Sequence, residues 1–342
     1  MDSIITRKIT RVPASSQVHD TDRNKRKRFL VFILILITVL KLLSFYIDRV
    51  YLKDHQILGR LQSVAGVTNE PENTLDLLVL GDSETYTSLS PMVLWEKNGT
   101  TGYIIGQAGQ QILEAYRNLQ TALATQKPKM VLVETNMFFR SPKSITYSVN
   151  VFDEAVKDQF SVFTYHNLWK QVADPSVETG SDYFKGFKIR QAIQPYTGNT
   201  DYMNTNRKNA RISGQVQTYM QKIAGLCKEN GITLAFYSAP SPSNCSMGRH
   251  QAAAELADTL GVKYLDLNLI GQELEINWRT DTADKGDHLN ISGAVKVSDY
   301  MAVWLKTFSL PDHRGDGRYK SWETLAETYK ARMAALDIES GK

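Results

Sequence analysis

Ser83, His288 and two nearby acids, Asp284 and Asp287, are the residue types of a nucleophile, a base and an orienting carboxylate. A serine hydroxyl is a poor nucleophile until a histidine accepts its proton, and that histidine needs an acid to hold its tautomer. Ser83 closes the stretch Leu75–Ser83, where an apolar run of strand length stops at Gly81 and passes through Asp82. The run has almost no alternation, as expected of a strand buried on both faces. A glycine at its end lets the chain turn and presents Ser83 at the carboxyl end of the strand, where open α/β sheets place their ligands. His288 lies far downstream, directly ahead of an apolar helical stretch for which Asn290 is the expected cap. Serine first, histidine last and an acid beside the histidine is the chain order of a hydrolase.

The elements needed to bring these residues together are legible between them. Gly102–Gly106 and Met130–Asn136 read as further buried strands, and Ile112, Leu113, Tyr116, Leu119 and Leu123 recur between them at helical spacing. A loop is expected from Glu84 to Pro91, followed by a short helix. The alternation resumes with a helix over 215–229, a strand over 232–237, a helix over 248–260, a strand over 262–267 and a last core helix over 291–308. Strand, helix, strand in close order implies parallel pairing with right-handed crossovers. In such a sheet the loops after the strands open on one rim, so His288 can reach Ser83. Residues 140–212 interrupt this rhythm and are too long for a plain connection, which marks an insertion with its own structure. Trp322, Leu325, Tyr329 and Met333 place an amphipathic helix in the segment 311–342.

Residues 1–28 carry eight Lys/Arg against three Asp, so a chain of net charge +4 has a nearly neutral body. That argues against a nucleic-acid partner. The basic tail abuts an apolar run from 29 to 47, close to the ~20 residues of a membrane helix. The cluster Arg23–Arg28 predicts a single-pass cell-membrane protein with a cytoplasmic amino terminus and an extracytoplasmic body. Lys41 stands inside the run, at a cost of ~2.5–3.5 kcal/mol at bilayer depth. It either snorkels to the outer interface or pairs with a polar group on another membrane protein. The expected order is therefore a basic tail (1–28), an anchor (29–47), a juxtamembrane linker (48–74), a catalytic domain (75–310) and a terminal helix. Cys227 and Cys245 have no metal spacing, and a disulfide between them is open.

Gly81-Asp82-Ser83 after strand one, Gly109 after strand two, Asn136 ending strand three and Asp284–His288 before the last helix together resemble the SGNH (GDSL-type) hydrolases. The resemblance spans roughly residues 75–310 apart from the insertion. It implies a three-layer α/β/α, flavodoxin-like fold with a five-stranded parallel sheet, and a serine esterase or acyltransferase that needs no metal or cofactor. It also implies an oxyanion hole made by the Ser83 and Gly109 N–H groups and the Asn136 amide. Two departures stand out. The family usually spaces acid and histidine by two residues, a position held here by Lys285, so Asp284 needs one extra residue that Gly286 can absorb. Asp287, adjacent to the histidine, is the alternative acid. The third block normally reads Gly-x-Asn-Asp, where this chain has Glu134-Thr135-Asn136-Met137.

Gly81-Asp-Ser-Glu84, Val133–Asn136, Tyr165–Trp169 and Lys185-Gly186-Phe187 resemble the membrane-anchored, DltD-like branch, which acts in teichoic-acid D-alanylation and related acylation of envelope polymers. That resemblance implies O-acyl transfer or deacylation on a cell-envelope glycopolymer or polysaccharide, beside a membrane-bound O-acyltransferase. The alternatives are a secreted-type carbohydrate esterase and a non-catalytic glycan-binding partner of such an acyltransferase. Glu84, His166 and Lys185 are the candidate substrate contacts. Glu84 is expected to be solvated; facing the cleft, its charge would suit an aminoacyl group such as D-alanyl.

Overall fold

The computed structural model describes residues 16–47, 62–140, 156, 159–164, 183–205 and 209–337. It divides into two compact units, Met1–His55 with Ser148–Lys170, and Gln56–Tyr147 with Gln171–Lys342.

In the first unit, helix α1 (Ser16–Tyr46) contains a stretch, Arg23–Tyr46, long and apolar enough to cross a membrane, with a mean hydropathy of 2.6 over its most apolar window. Lys41 finds contacts within its own chain. Its Nζ donates to the Gln159 carbonyl at 2.7 Å and sits 4.9 Å from the Phe160 ring centroid. Three residues along α1, the buried Ser44 Oγ accepts from Val162 N at 3.3 Å. The insertion thus supplies polar partners for the cation, which an apolar surrounding would otherwise leave unpaired.

The second unit holds the sheet. Helix α2 (Gln62–Thr68) leads into β1 (Leu77–Gly81), α3 (Ser83–Ser88), α4 (Pro91–Asn98), β2 (Gly102–Gly106), α5 (Ile112–Leu123) and β3 (Met130–Glu134). A small antiparallel hairpin, β4 (Tyr183–Phe184) and β5 (Phe187–Lys188), belongs to the insertion. Then come α6 (Gly214–Glu229), β6 (Thr233–Ser238), α7 (Met247–Leu260), β7 (Lys263–Asp266), α8 (Ile291–Leu305) and α9 (Lys320–Ala335). The five main strands are parallel in the order β2-β1-β3-β6-β7, the three-layer α/β/α arrangement expected. The first three strands are buried along their whole length, which explains their unbroken apolar sequences. From β1 the chain moves outward to β2, then back past β1 to β3. The order therefore reverses between β1 and β3, and the crevice beyond their carboxyl ends is the ligand position of such a sheet. Ser83 follows one of these strands and Asn136 the other.

Packing around the sheet extends on both sides of residues 75–310. Tyr103 and Ile105 of β2, the edge strand, are almost wholly buried, and α2 packs against this strand. The Trp322 ring of α9 lies 5.5 Å from that of Trp95 on α4. His313 Nε2 also bonds Asp76 Oδ2, just ahead of β1, at 2.6 Å. The terminal helix buries Trp322, Ala326, Tyr329 and Met333 and so is part of the core. Helix α8 packs on α3 and α4, tied by Ser90 N to Ser298 Oγ at 2.8 Å and Asn98 Nδ2 to the Ala302 carbonyl at 2.7 Å. This packing returns the amino end of α8, with His288 just before it, to the start of α3.

Candidate active site

Where a loop was expected after Ser83, the chain forms α3, with Ser83 its first residue. The competing signal was Asp82, whose Oδ1 accepts from Glu84 N at 3.0 Å and caps the helix. A Cβ on Gly81 would lie 2.8 Å from the Glu134 Cβ and collide with the Thr85 hydroxyl, so only glycine lets β1 turn this tightly into α3. Ser83 is thereby half-exposed at the rim, with a backbone N–H that the first turn of the helix does not use.

His288 Nε2 lies 2.8 Å from Ser83 Oγ, and His288 Nδ1 lies 2.6 Å from Asp284 Oδ2. Asp284 Oδ1 also accepts from His288 N at 2.6 Å. Asp287 Oδ2 is 3.5 Å from the same ring nitrogen and its side chain is 46% exposed, so Asp284 holds the orienting position and Asp287 does not. The extra residue between acid and histidine is absorbed at two consecutive left-handed positions, Lys285 (φ 62°) and Gly286 (φ 86°). At Gly286 a Cβ would stand 2.7 Å from Pro242 Cγ. Thr282 and Leu289 close the loop as a β-bridge, and Ser241 Oγ donates toward the Gly286 and Asp287 carbonyls. Partial burial works against the Asp284 carboxylate. The two hydrogen bonds from His288 and the Arg190 guanidinium outweigh it and hold its pKa below the usual value.

The oxyanion candidates fall at the same rim. Gly109 takes a left-handed turn (φ 63°) after β2 and is exposed. Asn136 is the second residue of a 3-10 turn (Thr135–Phe139) directly after β3, but its amide is not idle. One N–H of Nδ2 goes to Asp82 Oδ2 at 2.9 Å, and Oδ1 accepts from Arg249 Nη1 at 2.9 Å. Arg249 therefore fixes which end of the amide faces Asp82, and the second N–H is what remains for an oxyanion. Ser83, Gly109 and Asn136 thus follow three adjacent strands of the sheet.

The three expected substrate contacts fare differently. Glu84 is buried, not solvated. Its Oε1 accepts from Asn244 Nδ2, which also bonds Asp287 Oδ1, and its Oε2 has no partner. Burial first, then the charges of Glu134, Asp82 and Asp287, push its pKa well above the carboxylate range. Burial disfavours the charged form of this acid, which weakens the electrostatic reason for an aminoacyl donor. Lys185 sits in the hairpin turn, pairs with Glu70 at 2.6 Å and lies over the Trp322 ring at 4.7 Å. Its charge is satisfied within the fold by Glu70. His166 lies outside the described residues.

Sequence reasoning missed Asp82 as a hub, and missed Arg140, Arg190, Arg249 and Asn244. The Asp82 carboxylate receives Glu84 N, Asn136 Nδ2 and Arg140 Nε. An acid just before a helix is a capping signal, so Asp82 could have been found; isolated arginines far along the chain give no such signal. Among the described residues, Asp284, Asp287 and His288 are the one cluster with metal-ligand spacing, and both His288 nitrogens there already face hydrogen-bond partners. Cys227 and Cys245 are free thiols. Burial pushes the first up to about 12, out of nucleophilic range.

No family model matches the sequence, and no curated protein matches it. Among solved structures the chain is similar to that of TesA (TM-score 0.37, 11% identity, 68% of this chain and 98% of that one). It is likewise similar to the lipase/acylhydrolase from Enterococcus faecalis (TM-score 0.37, 12% identity, 70% and 98%). A third is the acetyl xylan esterase AlAXEase (TM-score 0.35, 12% identity, 68% and 98%). At these values the likeness decides neither activity nor substrate, and the chemistry rests on the contacts of Ser83, His288 and Asp284.

Proposed function

We propose that this protein is a membrane-anchored serine acyl-ester enzyme acting on the extracytoplasmic side. The observation that supports the reading is the unbroken line from Ser83 Oγ through His288 to Asp284, with spacings of 2.8 and 2.6 Å. His288 takes the Ser83 proton as Oγ attacks an ester carbonyl, and the Asp284 carboxylate stabilises the imidazolium. The Ser83 and Gly109 N–H groups and the free Asn136 N–H receive the oxyanion. Collapse releases the alcohol, which takes the proton from His288, and leaves an acyl group on Ser83. A polymer hydroxyl or water, deprotonated by His288, then takes the acyl group. The basic residues before the apolar part of α1 support a cytoplasmic amino terminus and a cell-membrane location. A cell-envelope glycopolymer or polysaccharide is the substrate this reading favours, with a membrane-bound O-acyltransferase as the partner that supplies or receives the acyl group.

Full-length protein in detergent, assayed on an aryl acetate, tests the reading. Turnover that Ser83→Ala abolishes, with an acyl adduct on Ser83 by mass spectrometry, is the expected result. Failure to acylate Ser83 with any of a panel of activated esters would overturn it in favour of a non-catalytic glycan-binding scaffold.

A further inference from the structure

Beyond the triad, a groove of about 950 Å³ opens at the carboxyl ends of β6 and β7, the same rim that carries Ser83. Its volume is at the upper end of small-molecule pockets (~300–1,000 Å³) and exceeds what an acyl group needs. Trp278 lines it, with the Tyr196 and Tyr202 rings set edge-on against it at 6.4 and 6.2 Å. Tyr202 is locked by its hydroxyl to the buried Asn268 at 2.8 Å, and Tyr196 N bonds the Trp278 carbonyl at 2.9 Å. The remaining wall is rich in amides, Gln272 and Asn277 among them. Among the described residues its charged lining is Asp201, Glu275 and Arg279.

From this arrangement we infer that the groove is a subsite for a neutral glycan, the polymer whose esters Ser83 handles; the inference rests on the acyl-ester reading. Sugars present apolar C–H faces and hydroxyl edges, which match rigid amphipathic rings beside amide donors and acceptors. Among the described residues, an anionic polymer such as a poly(alditol phosphate) would meet two carboxylates and one guanidinium, a net negative lining that disfavours phosphate. The groove also reaches the chemistry. The extended segment 190–196 runs along the catalytic loop, with Gln194 N bonded to the Thr282 carbonyl and Lys285 N to the Gln194 carbonyl. At one end Arg190 contacts Asp284; at the other Tyr196 lines the groove and packs beside Gly286. A glycan held at Trp278 would therefore lie against the loop that carries His288, and the insertion supplies that wall.

Calorimetry on full-length Ser83→Ala protein in detergent tests this, with neutral xylo-, gluco- and N-acetylglucosamine oligosaccharides and a poly(glycerol phosphate) oligomer as probes. Saturable binding of at least one neutral oligosaccharide is expected, weakened about tenfold or more by Trp278→Ala and largely restored by Trp278→Phe. If Trp278→Ala does not fold, the exposed Gln272→Ala is read instead, with a severalfold loss expected. No neutral binding, preference for the phosphate oligomer, or affinity unmoved by these substitutions would overturn the inference. Aryl acetate turnover by wild-type protein is scored separately. Turnover without oligosaccharide binding sinks the groove alone, and binding without turnover sinks the esterase reading alone.

Discussion

Arg190 Nη1 lies 3.1 Å from Asp284 Oδ2, the same oxygen that receives the His288 ring N–H. A residue of the insertion thus shares with His288 the acid proposed to orient it. The guanidinium is one of the groups that hold the Asp284 carboxyl ionised against partial burial. Arg190→Gln should raise the Asp284 pKa part of the way back, since both His288 hydrogen bonds remain. The acid limb of kcat/KM against pH should then move to higher pH, with a smaller change on the alkaline side. A profile that only scales down, with its acid limb in place, would make Arg190 a structural residue.

The two acids near His288 make opposite forecasts. Asp284→Asn turns an acceptor into a group that can present an N–H to Nδ1 and stabilise the wrong tautomer, with an expected loss of about 10⁴-fold in kcat. Asp287→Asn keeps the acceptor for Asn244 and should cost only severalfold. Equal losses would mean that the two carboxylates exchange roles at the 2.6 and 3.5 Å separations seen here.

The places of Ser83, Gly109, Asn136, Asp284 and His288 in the fold were legible because each sits at a punctuation mark: a glycine after a strand, a polar residue ending an apolar run, an acid and histidine before a capped helix. The parallel sheet was legible for the same reason, since strands buried on both faces are written as unbroken apolar runs. The state of Glu84 was not, because burial comes from α3 and from Asn244, 160 positions away, and no local pattern encodes it. Nor was Lys185, whose sequence neighbourhood gives no hint of Glu70. The helix after Ser83 was missed because Thr85, Thr87 and Ser88 are weak helix formers, and tertiary packing overrides that propensity.

Lys185→Met distinguishes a structural cation from a substrate contact. The Lys185–Glu70 pair is largely shielded, with side chains 13% and 12% exposed, so removing one partner leaves a mostly buried carboxylate. The expected outcome is a denaturation midpoint lowered by about 1–3 kcal/mol of stability, with KM for an ester substrate unchanged. A raised KM with unchanged stability would return Lys185 to the substrate.

Glu84 gives the last prediction, and its sign follows from burial. Its folded pKa lies above the ordinary carboxylate value of 4.5, so between those two values the native state binds more protons than the unfolded chain. Stability contributed by neutral Glu84 is complete below pH 4.5 and declines as pH rises toward the folded pKa. Glu134 is displaced in the same direction, by burial and by the Asp82 charge, and adds to the slope. Glu84→Gln keeps an acceptor for Asn244 Nδ2 and cannot ionise. Unfolding free energies measured by denaturant between pH 5 and 8 should therefore fall less steeply with pH in the variant than in wild type. The gain should be largest at the alkaline end. Parallel curves for the two proteins would show that Glu84 is not a proton-holding group in the folded state, and its charge would then return to the reckoning of which acyl donor Ser83 accepts.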